Sequence, residues 1–325
     1  MMEVSMAFDG ITIANLVSDF KSTLLDGRLS KIAQPEPDEL LLTVKNGSGT
    51  LRLCISASAS LPLIYLTGEN KPSPATAPNF CMLLRKHLQN GRIVEISQPG
   101  LERIVRFTVE HLDELGDLRR KQLIVEIMGK HSNIIFCDEN DRIIDSIKHI
   151  SGLVSSVREV LPGKSYFIPH TQDKLDPLTV SRSEFLDRVF SRPMECFKAL
   201  YTSFTGLSPA ISHEICHRAG GAADLVTAAC SPDDREALWE AFSSMMADVR
   251  AGRFSPCTAF EGGAPAEYAA VSLTSWPADS LKHFERISPL LEEYYTQKSQ
   301  ISRIRQRSAD LRRIVSTALE RNVRK

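Results

Sequence analysis

One stretch restricts the fold of this chain more than any other. It runs from Lys121 to Phe136. Leu123, Val125 and Ile127 alternate with Ile124, Glu126 and Met128, which is the two-residue period of a strand. Gly129 interrupts the pattern. Lys130, His131, Ser132 and Asn133 follow, all able to hydrogen-bond, and then Ile134, Ile135 and Phe136 resume a buried run. Asp138 to Asp141 marks a turn before a further strand, Arg142 to Ile147. The pattern predicts a polar, cation-bearing kink between two apolar strands, close to a hairpin. Two readings stay open. The kink is either a β-bulge with solvated polar groups, or the rim of a ligand site where Gly129 lets the backbone approach something anionic.

The remaining chain predicts an α+β domain with an antiparallel sheet core. Ile13, Leu16, Val17, Phe20, Leu24 and Leu25 share one helical face, with Thr12 as cap and Gly27 as stop. Asp9, just before this helix, has turn or cap chemistry as its local role. Strand patterns follow at 28–33, 40–45, 50–56 and 62–66, with a hairpin turn at Asn46–Gly49. A helix is expected over 79–89, ended by Asn90-Gly91. Strands return at 93–96, 103–109, 118–127 and 134–136. Neither a parallel βαβ rhythm nor a glycine-rich phosphate loop is present.

Residues 151–176 look irregular, with a linker near Pro177. Residues 179–253 switch to helical periodicity. There Phe204 to Ile215 places a glycine turn before a short helix, which either packs as a plain helix or holds a phosphate on its backbone N–H groups. Tyr268 to Leu273 predicts a strand within 254–280 that returns to the first domain. From Leu281, apolar residues recur as Phe284, Ile287, Leu291, Tyr294, Ile301, Ile304, Leu311, Val315 and Leu319. That spacing is heptad-like, Pro289 would start or kink the helix, and the seam has no obvious partner in the chain. Dimerisation through this arm, or a partner cut away, would satisfy it. The domain division is therefore 1–178, 179–253, 254–280 and 281–325.

The net charge of −1 hides an asymmetry. From Lys298 onward there are nine Lys/Arg against two Asp/Glu, a net of +7, so the first 297 residues carry −8. A basic arm on an acidic body suits a polyanion, although a solvated helix face reads the same way. Seven cysteines without paired spacing argue against a disulfide framework and for a reducing, cytosolic compartment. No run of about 18 apolar residues and no secretory pattern occur, so no membrane span is expected.

Catalytic patterns are poor. There is no Gly-x-Ser-x-Gly motif and no clear Cys–His arrangement, so no enzyme activity is expected. His213-Glu-Ile-Cys-His217 matches the zinc-binding H-E-x-x-H pattern, with Glu236 as a conceivable third ligand. Its helical-hairpin context argues against a metal, and neither metal nor cofactor is expected.

Glu126-Ile-Met-Gly-Lys-His-Ser-Asn-Ile134 resembles the signature of the NFACT family. Asp9, Pro78 to Leu88 and Glu102-Arg-Ile-Val-Arg-Phe107 support the resemblance in the family's order, and the similarity runs to the end of the chain. The resemblance implies a fold like the formamidopyrimidine type of DNA glycosylases, without their chemistry. It also implies a helix-hairpin-helix domain over 179–253 and the first arm of a long coiled coil over 281–325, so that the chain would be an N-terminal fragment. The implied partners are the anticodon arm of a transfer RNA and a stalled large ribosomal subunit, where the family promotes template-free addition of alanine to the nascent chain. Asp9 and Glu102-Arg103 match the family's acidic-Arg motif, with Glu102 standing where Asp is more frequent. Glu126 and Met128 match its second contact strand. With Lys130, His131 and Asn133 these are the candidate transfer-RNA contacts, of types that suit base edges and phosphates. The alternative reading is a surface adhesin that binds fibronectin.

Overall fold

The computed structural model describes residues 8–169, 172–221 and 225–300. Helix α1 (Gly10–Leu24) opens the chain. Four strands follow as a meander: β1 (Arg28–Glu36), β2 (Glu39–Asn46), β3 (Gly49–Ser56) and β4 (Leu63–Thr67). Helix α2 (Asn79–Leu88) then leads to a second meander of β5 (Arg92–Ser97), β6 (Ile104–Leu112), β7 (Leu118–Glu126), β8 (Asn133–Cys137) and β9 (Ile143–Ser146). Together they form one antiparallel nine-stranded sheet, ordered β4-β3-β2-β1-β5-β6-β7-β8-β9. The meanders meet at a single register pair, Arg28 with Arg92. Backbone bonds such as Leu29 N–H to Gly91 and Ile93 N–H to Gly27 extend that seam.

Both faces of the sheet are covered. The alternation of β2 shows why: Leu40, Leu42 and Val44 enter the main core, while Leu41 packs with Ala33 and Cys54 on the other side. Helices α1 and α2 lie on the main-core face. Phe20 of α1 meets Phe107 of β6 at a ring-centroid distance of 6.1 Å. Arg85 of α2 donates through Nε to the Ile32 carbonyl of β1 at 2.8 Å. On the opposite face of the second meander, Ile104, Ile124, Ile135, Cys137 and Ile143 pack against Val160 and Tyr166. The region expected as an irregular linker is therefore partly a strap, residues 149–168, that seals the second face.

Four helices follow: α3 (Arg182–Val189), α4 (Cys196–Ser203), α5 (Pro209–Arg218) and α6 (Pro232–Arg250). Reciprocal Ser–acid capping boxes start α3 at Ser181/Glu184 and α6 at Ser231/Asp234. Strands β10 (Cys257–Glu261), β11 (Ala264–Ala269) and β12 (Leu281–His283) make a separate three-stranded sheet, ordered β11-β10-β12. They return to the first domain through the shared core, in which Tyr268 is buried, rather than by joining the large sheet.

Several expectations need correction. Asp9, not Thr12, caps α1, accepting from the Thr12 N–H at 2.8 Å. Helix α1 ends at Leu24, and Asp26, with φ 62°, takes the left-handed position ahead of Gly27. Helix 287–300 does have a partner in this chain. Ile287, Leu290, Leu291 and Tyr294 are buried in the main core, and the Ser288 hydroxyl accepts from Leu66 N–H of β4. Pro289 falls in its first turn, where a missing N–H costs nothing. The seam positions Ile301, Ile304, Leu311, Val315 and Leu319 lie outside the described residues.

Candidate nucleic-acid interface

The Lys121–Phe136 stretch is a hairpin and not a bulged strand. Glu126 to Gln122 pair with Asn133 to Cys137 without a register shift. The polar kink is the connection between β7 and β8, a 3-10 turn at Gly129–His131. Gly129 has φ +57°, and a Cβ there would meet nothing within 4 Å. The glycine thus serves the backbone conformation. Lys130 and His131 are exposed, and neither side chain hydrogen-bonds or ion-pairs with another described residue. Met128 is half-buried against the small cluster under the strap, and its N–H donates to the Ser132 hydroxyl at 2.8 Å.

Glu126 and Asn133, the paired residues at the end of this hairpin, are buried. The Glu126 carboxylate accepts from Tyr166 Oη at 2.8 Å and ion-pairs with Arg158. Arg158 also donates through Nη1 to the Phe167 carbonyl at 2.7 Å, and its guanidinium lies over the Tyr166 ring. Burial pushes the Tyr166 hydroxyl up, and the neighbouring Glu126 charge pushes the same way. Asn133 donates to the Lys148 carbonyl at 2.9 Å and accepts from Lys148 N–H at 3.1 Å. Glu126 therefore clamps the strap onto the sheet, and Asn133 fixes Lys148, the residue that leads into it.

Asp9 is also buried. Its second oxygen accepts from the Ser208 hydroxyl at 2.7 Å, and Ser208 in turn caps α5 by accepting from Ile211 N–H. One carboxylate thus sits at the starts of two helices, where the positive dipole ends favour it. Burial pushes the Asp9 carboxyl up, against the hydrogen bonds from Ser208 and the Thr12 backbone that pull it down. At the start of α5 the Ile211 N–H is taken by the Ser208 hydroxyl, which Asp9 in turn holds. The carbonyl of Gly206, whose φ is +78°, accepts from Gly10 N–H at 2.9 Å. A Cβ on Gly10 or Gly206 would lie 2.1 or 2.2 Å from the Leu101 carbonyl oxygen.

Glu102 and Arg103 lie half-buried in the turn before β6. Burial holds the Arg103 guanidinium below its ordinary pKa, opposed by the charges of Asp9 and Glu102. Lys174 belongs to the same group: burial lowers its pKa first, Arg103 adds to that, and Glu102 opposes it. Its Nζ donates to the Tyr201 carbonyl at 2.8 Å. The Arg103 carbonyl accepts from Ile127 N–H at 2.9 Å, and Ile104 pairs with Glu126. The Arg103 group and the Lys130–His131 turn therefore occupy the same end of the β6–β7 pair. Lys174, Arg158 and Tyr166 were missed from sequence because no local pattern joins them to positions 32 to 71 residues away.

Two of the H-E-x-x-H residues, His213 and Glu214, take other partners. His213 stacks on Phe197 at a centroid distance of 4.0 Å, and buried Glu214 accepts from Arg218, the Thr274 hydroxyl and Ser275 N–H. Glu236 pairs with Arg182 on the surface.

The chain matches the description "NFACT N-terminal and middle domains" over residues 9–325. It is 33% identical to the Rqc2 homolog RqcH of Bacillus subtilis and 32% identical to that of Streptococcus suis, each over 98% of this chain. Those alignments cover 54% and 53% of the relatives, so the chain spans about half their length. Among solved structures it is similar to the N-terminal part of a fibronectin/fibrinogen-binding protein from Streptococcus suis, with TM-score 0.73 and 30% identity over 89% of this chain and 99% of that one. The fibrinogen-binding protein from Staphylococcus aureus is similar at TM-score 0.74 and 29% identity, with the same coverage. With the family description matched from the Asp9 cap to the last residue, and the signature hairpin at the rim it shares with Arg103, this chain belongs to the NFACT family.

Proposed function

We propose that this chain is the RNA-binding N-terminal part of a ribosome-associated quality-control factor, which holds a transfer RNA by its anticodon arm on a stalled large ribosomal subunit. The observation that carries the reading is the shared rim at the end of β6 and β7. It offers a half-buried guanidinium, Arg103, beside two carboxylates, and an exposed cationic turn, Lys130–His131. A planar fork and point charges suit base edges and phosphates of an unpaired loop. Lys174 joins the contact set by its position. Asp9, Glu126 and Asn133 act on this reading as positioning residues, since their polar atoms are occupied inside the fold.

The chain is proposed to work without a catalytic group of its own. Peptide transfer would belong to the ribosome, and alanine tailing would follow from the transfer RNA delivered. A cytosolic location goes with this reading; no described helix is long and apolar enough to cross a membrane. The region from α3 to α6 is read as a helix-hairpin-helix unit tied to α1 through Ser208 and Asp9, and the residues after 300 as a coiled-coil arm.

Sequencing the RNA that co-purifies with the longer protein tests the proposal. Enrichment of one or a few transfer RNAs, together with large ribosomal subunits, is expected. A second reading, a surface protein that binds fibronectin or fibrinogen, is favoured by the names of the similar solved structures. Fractionation of cells and direct binding of fibronectin separate the two: surface-located protein without bound RNA would overturn the ribosomal reading.

A further inference from the structure

We propose that the strap of residues 149–168 is a base-stacking surface for unpaired RNA, with the Phe167 ring as its platform. The inference deepens the transfer-RNA reading and rests on it only for the identity of the RNA.

Three observations lead there. Phe167 is 50% exposed, while Tyr166 and Ile168 on either side pack into the cluster on the sheet's second face. No ring or cation stacks on it among the described residues. The backbone that presents it is nonetheless fixed, because its carbonyl accepts from Arg158, which is itself held by buried Glu126. An aromatic ring held outward on a pinned backbone loses little freedom when a ligand stacks on it.

The second observation is the company it keeps. Leu153, Val154 and Val157 on the same strap are also exposed. The strap thus exposes further apolar side chains besides Phe167.

The third is charge. Met128 and Ile168 border one and the same apolar cluster, which sets the Lys130–His131 turn beside the strap. The carboxylates around it are already engaged: Glu126 with Arg158, Glu159 with Lys164, and Asp145 with His149. On the strap and the Lys130–His131 turn, the charged side chain outside any ion pair is Lys130. An apolar protein partner would use Leu153 and Val154 and leave that cation idle. Unpaired RNA uses both, with bases on the ring and phosphates on the cation.

The test titrates the 325-residue chain against three labelled probes: a ten-nucleotide single-stranded oligouridylate, an RNA duplex of the same length, and unfractionated transfer RNA. Phe167→Ala is expected to weaken single-strand binding about tenfold or more. Phe167→Trp should retain it, Phe167→Leu should not, and duplex binding should be the same for all. Circular dichroism of each variant should match the parent, since the ring is half in solvent. Equal single-strand affinity for the parent and Phe167→Ala overturns the proposal even if transfer RNA binds. Single-strand binding that depends on Phe167, with no binding of transfer RNA, upholds the strap and overturns the reading of the rim. A Phe167→Ala defect seen only with whole ribosomal subunits, and with no naked RNA, marks a protein partner and also overturns it.

Discussion

Arg103 feels the charge of Asp9, yet the two are expected to behave in opposite ways. Arg103→Ala should leave the melting temperature nearly unchanged and cost about 1–3 kcal/mol in transfer-RNA affinity if the guanidinium reads a base edge. Unchanged binding in a filter or fluorescence titration would remove it from the interface. Asp9→Ala should instead destabilise the fold by about 1–3 kcal/mol in urea titration, since it strips acceptors from Thr12 N–H and the buried Ser208 hydroxyl. Asp9 also carries a pH signature. Burial raises its folded-state pKa above the unfolded value, so the folded chain binds the proton more tightly. The contribution is most favourable below the ordinary carboxylate pKa and is lost as pH rises through the raised one. Asp9→Asn should therefore gain on the parent as pH increases across that window. Glu126→Ala strands Arg158 and should cost about 3–5 kcal/mol. Of these roles only the α1 cap lay in local sequence. The Ser208 partner is 199 residues from Asp9, and the two groups that bury Glu126 are 32 and 40 residues on. Residue type marked these positions as polar and special, but exposure depended on distant segments, so buried clamps and exposed contacts looked alike.

At the scale of elements, alternation and caps were enough to find most strands and helices, because burial of one face imposes the period directly. The 40–45 and 118–127 patterns became β2 and β7 with no end moved by more than one residue. What alternation does not carry is the connection between elements: the kink looked like a bulge because a hairpin turn and a bulge both interrupt the same period. The strap stayed hidden for a related reason, since 149–168 has isolated bridges, such as Ile150 with Val160, but no regular element. Two glycines show how far context decides. Gly129→Ala should cost about 1 kcal/mol, the left-handed penalty alone, because nothing surrounds its Cβ position. Gly206→Ala adds a contact with the Leu101 backbone at 2.2 Å to a similar φ, and should cost about 3 kcal/mol or more. Denaturation midpoints of the two variants, measured side by side, check the contrast.

For the whole molecule, one apolar core runs from Phe8 through the helices to Tyr294 and joins regions that the sequence divided at 178, 253 and 280. Periodicity showed where element types changed but not that the segments share an interior. Thermal unfolding should therefore appear as one transition. Tryptophan fluorescence, from Trp239 on α6 and Trp276 near the small sheet, should coincide with far-ultraviolet circular dichroism. Two separated midpoints would show that the helical region melts alone. The single-pair seam between β1 and β5 has a kinetic meaning as well. Each meander is a run of neighbouring hairpins with short loop closures, whereas the seam is made by residues about 64 apart, with α2 laid across it. Loop-closure entropy makes such a junction late. In pulse-labelled refolding the amides of Leu29 and Ile93 should gain protection after those inside β2–β3 and β6–β7, so that the sheet is born as two halves and becomes one only when its middle closes.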